Sequence, residues 1–356
     1  MTKIRIGSIG LGNISTGVHI PGIQASPDLI LTAICDADPE RLRQRGEQYG
    51  IDEAHRFTDY HDLIVCPDVD AVDISTPNIS HFAIAMAAVA AGKPYGVEKP
   101  ITMTAEEADV LTAATRKAGV KSMVCFSYRY KAAARMAREM IRRGDIGKIH
   151  HISMQYLQTW GNEEADCPLV WRFRKEYAGT GVLGDLGSHM VDFATFLTGR
   201  RFIEVTAQAA TLLPTRRGIR GDGVGQVDVD DFCNFLADME DGISASFQTT
   251  RVAYGRGNYQ RFEIYGSCGA LVYMLDADGG EVDTLEVCIG RAMSETGSFK
   301  QVTIPEKYRT NQMRSFEDLL LGREDGCSAT VQDGYENMCV LDAIERSFNT
   351  RQWVSL

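Results

Sequence analysis

The sequence predicts an α/β protein of two domains, with a doubly wound parallel sheet in residues 1–126 and a mainly antiparallel sheet in residues 127–356. Its 356 residues exceed one ordinary domain, and 44% of them are hydrophobic, which suits two sizeable cores. The first part alternates apolar strand-like runs with helical stretches, as βαβ units do. The second part has strand-like runs joined mostly by short turns, which is typical of antiparallel sheets.

The first domain is predicted from five strand-like runs and the helices between them. The strands are expected at Lys3–Ile9, Leu29–Cys35, Ala71–Ser75, Tyr95–Val97 and Lys121–Cys125. The helices are expected at Asn13–Ala25, Pro39–Tyr49, Ser80–Ala91 and Ala105–Ala118. Pro39 suits a first helical turn that Asp38 caps. Strands separated by helices of this length indicate βαβ units and therefore a parallel sheet.

The second domain is predicted from period-two alternation and short turns. Its strands are expected at Ile149–Leu157, Asp231–Met239, Ser244–Thr250, Arg261–Tyr265 and Ala270–Met274. Its helices are expected at Ala132–Arg143 and Gly184–Leu197, with a closing helix at Gly334–Phe348 that could pack on either domain. The Gly- and Arg-rich segment Leu213–Val229 is predicted to be either a mobile surface loop or an arm that touches the active site or a neighbouring subunit.

Composition excludes several classes of function. The net charge of −11 argues against nucleic acid or an anionic membrane as a partner. No run approaches the ~18 apolar residues that a membrane span needs, and the N-terminus reads as a strand rather than a signal peptide. The nine cysteines include no C-x-x-C pair, which favours reduced thiols over a disulfide framework or a metal site. We therefore expect a cytoplasmic protein without a bound metal.

A glycine motif follows the first predicted strand: Gly10-Leu11-Gly12-Asn13-Ile14-Ser15. Gly10 would permit a tight turn and Gly12 a close approach of a pyrophosphate, while Asn13 and Ile14 open a helix whose free N–H groups face the phosphates. The third glycine of the usual pattern is Ser15. An ordinary strand–turn–helix junction remains the alternative explanation.

Asp36 ends the second predicted strand, where a carboxylate accepts hydrogen bonds from the adenosine ribose of NAD and repels the 2′-phosphate of NADP. This favours NAD over NADP. Three arginines in the next helix leave the alternative open, because one of them could pair with a phosphate: Arg41, Arg43 and Arg45.

Two further motifs end predicted strands, where ligands of open α/β sheets bind. The first is Ser75-Thr76-Pro77-Asn78, followed by His81; a turn that caps the next helix is its alternative explanation. The second is Glu98-Lys99-Pro100, in which Pro100 restricts the backbone of Lys99 to extended geometry. The ammonium of Lys99 could stabilise a developing alkoxide.

Asp185 and His189 are four residues apart and would share one face of a helix. A histidine suits the removal of a hydroxyl proton as a hydride leaves the same carbon. A core histidine that is satisfied by a neighbouring carboxylate is the structural alternative. Metal ligation lacks a convincing third ligand, because His150 and His151 would point to opposite faces of a strand.

Taken together, these motifs resemble the glucose–fructose oxidoreductase, inositol dehydrogenase and rhizopine-catabolism family (Gfo/Idh/MocA). The resemblance extends over nearly the whole chain. Besides the motifs above, it rests on Gly92-Lys93-Pro94, Phe126-Ser127-Tyr128-Arg129-Tyr130, Trp171-Arg172-Phe173, Gly181-Val182-Leu183-Gly184, Glu263-Ile264-Tyr265-Gly266-Ser267 and the tail from Asp333 to Ser347.

The resemblance implies a Rossmann domain that binds NAD and a second α/β domain with an open-faced sheet, which in such proteins often forms a homodimer or homotetramer. Lys99 would position the substrate, His189 would be the acid/base catalyst, and Asp185 would be its nearby carboxylate. Residues implied in cofactor binding are Gly10, Gly12, Asn13, Ile14, Asp36, Ser75, Thr76, Pro77, Asn78, His81, Glu98, Lys99 and Arg172. Residues implied in substrate binding are Lys99, Tyr128, Arg129, Asp185 and His189.

The expected activity is oxidation of a secondary hydroxyl of a sugar, cyclitol or glycoside by hydride transfer to NAD. One alternative is a glycoside 3-dehydrogenase that keeps and recycles its NAD. An alternative of another class is a non-catalytic NAD-binding regulator, which would have no chemical reason to keep Lys99, Asp185 and His189.

Overall fold

The computed structural model describes residues 3–219, 221, 223–276, 282–324 and 326–356. The chain divides into two units, each of them discontinuous in sequence. The first consists of Met1–Ser127 with Thr310–Met338, and the second of Tyr128–Arg309 with Cys339–Leu356.

The first unit contains a parallel sheet of six strands among its described residues. They are β1 (Ile4–Ile9), β2 (Leu29–Cys35), β3 (Arg56–Phe57), β4 (Ala71–Ile74), β5 (Tyr95–Val97) and β6 (Ser122–Val124). Their spatial order is β3-β2-β1-β4-β5-β6, so the order reverses between β1 and β4. Residues 71–74 and 95–97 are wholly buried, as expected for strands that are covered on both faces. The predicted doubly wound sheet is confirmed.

The helices that connect these strands are α1 (Ile20–Ala25), α2 (Pro39–Tyr49), α3 (Tyr60–Val65), α4 (His81–Ala90) and α5 (Ala105–Ala118). A π-helical turn at Ser15–His19 precedes α1. The carboxylate of Asp38 caps α2 by accepting from the N–H groups of Glu40 and Arg41, as its sequence predicts. Because each helix follows a parallel strand, the helices start at the carboxyl edge of the sheet.

The second unit contains a mixed sheet of nine strands within the described ranges. All its strands and those of a separate hairpin are β7 (Ile149–Leu157), β8 (Phe202–Ala210), β9 (Thr215–Arg217), β10 (Val224–Gln226), β11 (Phe232–Met239), β12 (Ile243–Thr250), β13 (Tyr259–Gly266), β14 (Gly269–Leu275), β15 (Asp283–Ile289), β16 (Lys300–Gln301) and β17 (Val354–Ser355). The sheet order is β16-β15-β14-β13-β7-β12-β11-β8-β17, while β9 and β10 pair with each other. β7 and β12 are parallel and the other neighbours antiparallel, which confirms a mainly antiparallel sheet.

One face of this sheet is covered and the other is left open. Its helices are α6 (Ala132–Arg143), α7 (Lys175–Ala178), α8 (Ser188–Thr198) and α9 (Arg291–Thr296). Phe193 of α8 packs against Phe262 and Tyr273 of the sheet, with ring centroids 4.5 and 5.5 Å apart. Residues alternate between buried and exposed along β11, so Leu236 and Asp238 face away from this core.

The segment 213–229 is not the irregular loop that its composition favours; residues 220 and 222 lie outside the described part. It forms the β9–β10 hairpin, and the Arg216 guanidinium stacks on the ring of Phe173 at 3.9 Å. Arg216 is buried and donates hydrogen bonds to the carbonyl groups of Gly161 and Cys167. These contacts hold the hairpin against the loop that leads to Phe173.

The chain returns to the first unit after residue 309, which differs from the expected division into 1–126 and 127–356. This part contains α10 (Gln312–Leu321) and the start of α11 (Val331–Thr350). Phe316 is fully buried, the Lys121 ammonium donates to the Leu319 carbonyl, and the N–H of Val124 donates to the Ala329 carbonyl. The apolar face of α10 completes the core of the parallel sheet, so 310–338 belong with it. In the described ranges, no helix is long and apolar enough to cross a membrane.

Candidate active site

The glycine loop has the backbone that its motif requires. Gly10 follows β1 with φ +87°, in the left-handed region, and a Cβ atom there would lie 2.7 Å from the carbonyl oxygen of Ser75. Gly12 is different, because a Cβ atom there would meet nothing within 4 Å. Asn13 and Ile14 are exposed. The loop therefore offers an open surface of backbone at the start of a helix, which is what a pyrophosphate needs.

Ser15, at the position of the missing third glycine, is buried and has a polar role. Its hydroxyl lies 3.3 Å from that of Ser8, which donates to the carboxylate of Asp73 at 3.1 Å. The departure from the glycine pattern thus adds a hydroxyl to a buried polar network behind the loop.

Asp36 lies at the carboxyl end of β2, directly against the glycine loop. Its carboxylate accepts hydrogen bonds from the N–H groups of Leu11 and Asp38, both at 2.9 Å. Arg41 donates to both oxygens at 3.1 and 3.2 Å and is half exposed. Arg43 pairs instead with Glu40 and Glu47. Of the three arginines that could meet a 2′-phosphate, Arg41 is the one placed beside Asp36.

The loop after β4 lies beside Gly10. Ser75 donates from its hydroxyl to the Gly10 carbonyl at 3.2 Å, and both Ser75 and Asn78 are buried. Thr76 is half-buried and Pro77 exposed. These residues frame the glycine loop at the point where the strand order reverses, which is where open α/β sheets bind ligands.

His81 has a different place from the cofactor contact predicted for it. Its side chain is fully buried, with Nδ1 2.8 Å from the Pro100 carbonyl and Nε2 2.9 Å from the Thr76 carbonyl. Burial lowers the pKa of this imidazole, although both carbonyl groups oppose the shift. The structure therefore makes His81 a brace between two loops, since a fully buried ring has no surface for a cofactor.

Glu98 and Lys99 follow β5, and the Lys99–Pro100 peptide bond is cis. The buried carboxylate of Glu98 lies 3.0 Å from Nε2 of His19 and accepts the N–H of Lys99 at 3.2 Å. Burial would raise the pKa of Glu98, but the hydrogen bond with His19 and the nearby positive charges lower it below its usual range. Glu98 is thus an ionised group that is engaged within the protein, while the Lys99 side chain is half-buried.

His19 is a site residue that sequence reasoning missed. It ends the π-helical turn and is fully buried, with Nδ1 2.7 Å from Asp73 and Nε2 3.0 Å from Glu98. Burial alone would lower its pKa, but the charges of Asp73 and Glu98 and the hydrogen bonds to them outweigh burial and raise it to about 10. The position of His19, one turn beyond the glycine motif, could have marked it as a candidate. Its partners Asp73 and Glu98 are more than fifty residues away in the sequence, so no local pattern indicates them.

In the second unit, Asp185 and His189 lie where a π-helical turn, Leu183–Gly187, passes into α8. The predicted continuous α-helix is therefore wrong at Asp185, because a π turn is wider. Such turns recur at functional sites. His189 is buried, and the Asp185 side chain is 21% exposed with Oδ2 3.9 Å from Nε of Arg172.

Tyr128 connects His189 to a polar network. Its ring meets the His189 imidazole edge-on, with centroids 4.6 Å apart. Its hydroxyl lies 2.5 Å from that of Tyr156, and Asn258 donates to it at 3.1 Å. Gln158 donates to the Tyr156 hydroxyl at 3.1 Å. Burial raises the pKa of Tyr156 well above its ordinary value, so this hydroxyl stays protonated.

Three of these residues were not singled out from the sequence: Tyr156, Gln158 and Asn258. Tyr156 and Gln158 are two residues apart at the end of β7, so their side chains lie on the same face of the sheet. Asn258 joins them through a loop about a hundred residues later, which no local pattern indicates.

Arg129, predicted to bind substrate, is instead 4% exposed and paired with Asp192 of α8. Its Nε donates to Oδ2 at 2.9 Å and its Nη2 to Oδ1 at 2.5 Å. A buried, two-pronged pair of this kind holds its partners in register. Arg172, in contrast, is 42% exposed in its side chain and stacks on Trp171 at 4.4 Å. It remains accessible for the predicted ligand contact.

The glycine loop, the acid at the end of β2 and the reversal of strand order define the first unit as a dinucleotide-binding domain. The second unit has a mixed sheet and carries a histidine and a carboxylate. This combination of domains is that of a two-domain dehydrogenase.

Comparison with known proteins names the family. Residues 4–126 match the oxidoreductase family with an NAD-binding Rossmann fold, and residues 134–272 match the Gfo/Idh/MocA C-terminal domain. The chain belongs to the Gfo/Idh/MocA oxidoreductases.

Relatives match over full length. Levoglucosan dehydrogenase of Pseudarthrobacter phenanthrenivorans is 31% identical, with 100% of this chain and 99% of that protein covered. Myo-inositol 2-dehydrogenase of Thermotoga maritima is 28% identical, with 99% and 98% covered. A structure of levoglucosan dehydrogenase with NADH and levoglucosan superposes with a TM-score of 0.89 at 30% identity, covering 100% of this chain and 99% of that one. The predicted family, fold, enzyme class and NAD cofactor are confirmed.

The residues of the first unit fit NAD. The open space at Gly12 leaves room for a pyrophosphate against the backbone, and the exposed Asn13 and Ile14 begin the helix beside it. The Asp36 carboxylate is held by two backbone N–H groups, so it is oriented before any ribose hydroxyl arrives.

Proposed function

We propose that this protein oxidises a secondary hydroxyl of a cyclic polyol, that is a sugar, a glycoside or a cyclitol. The observation that carries the proposal is that a partly exposed carboxylate and a buried histidine lie four residues apart where a π-helical turn passes into α8: Asp185 and His189. A dehydrogenase needs a base for the hydroxyl proton, and a polyol offers further hydroxyls that need acceptors.

His189 is the proposed base. Its Nδ1 is buried from solvent, so we assign acceptance of the hydroxyl proton to Nε2. The edge of Tyr128 fixes the plane of the ring. When bound, NAD supplies the hydride acceptor. His189 therefore has to hold the proton that the substrate oxygen releases, a role to which an imidazole is chemically suited.

Lys99 and Asp185 are the other proposed catalytic residues. The ammonium of Lys99 would donate a hydrogen bond to the reacting oxygen and stabilise its developing negative charge. The carboxylate of Asp185 would accept a hydrogen bond from a neighbouring hydroxyl, with Arg172 near it as counter-charge at 3.9 Å. Each contact selects a substrate with more than one hydroxyl.

The named relatives act on levoglucosan and on myo-inositol, which are both rigid rings with several secondary hydroxyls. This supports the same substrate class here. The partly buried stack of Trp171 and Arg172 offers a flat surface of the kind that sugar rings pack on. The expected homodimer or homotetramer stays a prediction.

The test is NADH formation across levoglucosan, myo-inositol, other inositols, free pyranoses and alkyl glucosides, with NAD and NADP in parallel. Turnover of at least one ring polyol with NAD would support the proposal, and the ranking would separate cyclitols from sugars. No turnover, with NAD binding established by calorimetry, would overturn it and favour a regulator or an enzyme that retains its cofactor.

A further inference from the structure

Behind the glycine loop, the structure gathers charged groups that the proposed chemistry does not use. His19 lies between Asp73 of β4 and Glu98 after β5, and all three are buried. The N–H of Lys99 donates to the second oxygen of Glu98. A continuous set of contacts thus runs from His19 through Glu98 to the backbone of Lys99.

We propose that His19 is a positioning residue for Lys99, acting as a buried cation that holds Glu98 and through it the backbone of the lysine. This rests on the proposed function, because it takes Lys99 to be a catalytic residue. It goes beyond that function in assigning a role to a side chain with no access to substrate.

The two carboxylates favour a protonated imidazole, because both acceptors are negatively charged, unlike the two carbonyl groups around His81. Each ring nitrogen of His19 faces a carboxylate oxygen, at 2.7 and 3.0 Å, and a neutral imidazole has one N–H with which to meet two acceptors. With His19 charged, the two buried carboxylates are balanced by His19 and Lys99. His19, Glu98 and Cys125 also lie close enough together to ligate a metal ion, which would need a ring nitrogen without its proton, so the protonation state of His19 distinguishes the two arrangements.

The other groups around His19 favour the same state. Cys125 has its sulfur within 4.8 Å of ligand atoms of His19 and Glu98, and burial together with those carboxylates raises its pKa well above the ordinary value, so it stays neutral. The nitrogen of the Gln312 amide lies 3.0 Å from Nε2, and a half-turn of the amide brings its oxygen there as an acceptor for the protonated ring. Ser8 donates to Asp73. His81, on the far side of the turn, braces the Pro100 carbonyl. Lys99 is therefore held on its N-terminal side through Glu98 and on its C-terminal side through His81.

The first test is spectroscopic and needs neither cofactor nor substrate. In protein labelled with ¹⁵N-histidine, His19 is assigned by its loss in His19→Gln. At about pH 8.5, where an ordinary histidine is neutral, both its nitrogens should carry protons. A neutral tautomer at that pH would overturn the proposal, and Glu98→Gln, which removes one of the two carboxylates, should lower the pH at which the proton is lost.

The second test is a double-mutant cycle with a substrate that the wild type turns over. His19→Gln should lower kcat about 10- to 100-fold, with KM for the polyol and the Kd for NAD changed less than threefold. Glu98→Gln should lower kcat to a similar extent, and the double variant should be no worse than the poorer single variant, because both act through one contact. Additive losses would overturn the proposal.

The matched control is His61→Gln, since this exposed histidine pairs locally with Asp59 and should leave kcat unchanged. If His19→Gln does not fold, His19 is assigned instead as the histidine whose signals Glu98→Gln shifts, and the wild-type spectrum still decides its protonation state. A wild type that is inactive on every polyol would count against the proposed function, whereas an active wild type with a neutral His19 would count against this inference alone.

Discussion

The guanidinium of Arg129 forms a two-pronged, buried ion pair with Asp192, and each partner is a near neighbour of a candidate site residue. Arg129 follows Tyr128 in the chain, and Asp192 lies three residues beyond His189 on α8. The Tyr128–His189 ring contact and the Arg129–Asp192 pair therefore join the same two segments side by side. The pair holds the segment that carries Tyr128 against the helix that carries His189.

Arg129→Met should therefore reduce both stability and activity. Removing one partner leaves a buried carboxylate without its bidentate donor, which costs about 3–5 kcal/mol in comparable buried pairs. Urea unfolding measures this loss, and kcat should fall because Tyr128 no longer fixes the His189 ring. The exposed pair of Arg201 and Glu240 supplies the control, since Arg201→Met should hardly change stability. A double variant, Arg129→Met with Asp192→Leu, should regain part of the lost stability; equal instability of single and double variants would contradict this account.

The sequence predicts more of the first unit than of the second, for a physical reason. Helices such as Pro39–Tyr49 and Ala105–Ala118 carry their caps and periodicity within a dozen residues, so the observed bounds match those predicted. β8, by contrast, was not predicted, because only two of its nine residues are buried and its pairing with β11, more than twenty residues later, defines it as a strand. Residues 310–338 return to the first unit because Phe316 is buried against a sheet whose strands are distant in the sequence. No local sequence pattern indicates this contact.

Gly12→Ala should separate cofactor binding from folding. The added methyl group meets nothing within 4 Å in this structure, so the melting temperature should stay nearly unchanged. It would nevertheless occupy the space proposed for the pyrophosphate, and calorimetry should show at least tenfold weaker NAD binding, of the order of 1.4 kcal/mol. Gly10→Ala is the contrasting variant, because its φ of +87° and the Ser75 carbonyl should make it destabilise the fold itself. Unchanged NAD affinity in Gly12→Ala would place the pyrophosphate elsewhere.

Asp36→Ala should change the preference between the two nicotinamide cofactors. It removes the carboxylate that would bind the ribose and also frees Arg41, which donates to both of its oxygens. Arg41 then keeps only its longer, exposed pair with Asp38 at 3.5 Å. It can therefore meet a 2′-phosphate, so the ratio of NAD to NADP affinity should fall at least tenfold, about 1.4 kcal/mol. Thr104→Ala is the control, because it removes the side-chain cap of a different helix, α5, and should lower stability without altering that ratio. A constant ratio in Asp36→Ala would remove Asp36 from the ribose site.

His189→Ala should reduce kcat at least about tenfold, since a positioned base contributes about 10²–10⁴-fold. NAD affinity should remain nearly unchanged, because the glycine loop belongs to the other unit. The measurement is steady-state kinetics with the best polyol of the panel, alongside calorimetry with NAD. His61→Ala controls for loss of a histidine that has no role in the site. Parallel loss of stability, NAD binding and kcat would mark His189 as a structural core residue instead.

The candidate residues themselves divide by whether their partners are local. Gly10, Gly12 and Asp36 could be predicted because they belong to a motif whose geometry the strand–turn–helix junction determines. His81 and Arg129 do not have their predicted places, because each side chain has a partner that the sequence does not indicate. The His81 ring lies against the Pro100 carbonyl, and Arg129 pairs with Asp192. His19 escaped prediction for the same reason, because a histidine acquires its charge from carboxylates that only the fold brings to it.

The buried cation proposed at His19 predicts a stability contribution that depends on pH. Because the pKa of His19 is about 10 in the folded protein and about 6.5 in an unfolded chain, its proton stabilises the fold fully below about pH 6.5 and progressively less as the pH rises to about 10. The loss over this range amounts to several kcal/mol, since one pKa unit corresponds to about 1.4 kcal/mol. His19→Gln lacks this proton, so the advantage of the wild type in free energy of unfolding, measured by urea titration, should shrink steadily between those two pH values. Cys125 and the other groups that ionise in this range occur in both proteins and cancel in the difference. An advantage that stays constant with pH would mean that His19 is neutral in the folded protein, and the charge balance between Asp73, Glu98 and Lys99 would then need another source.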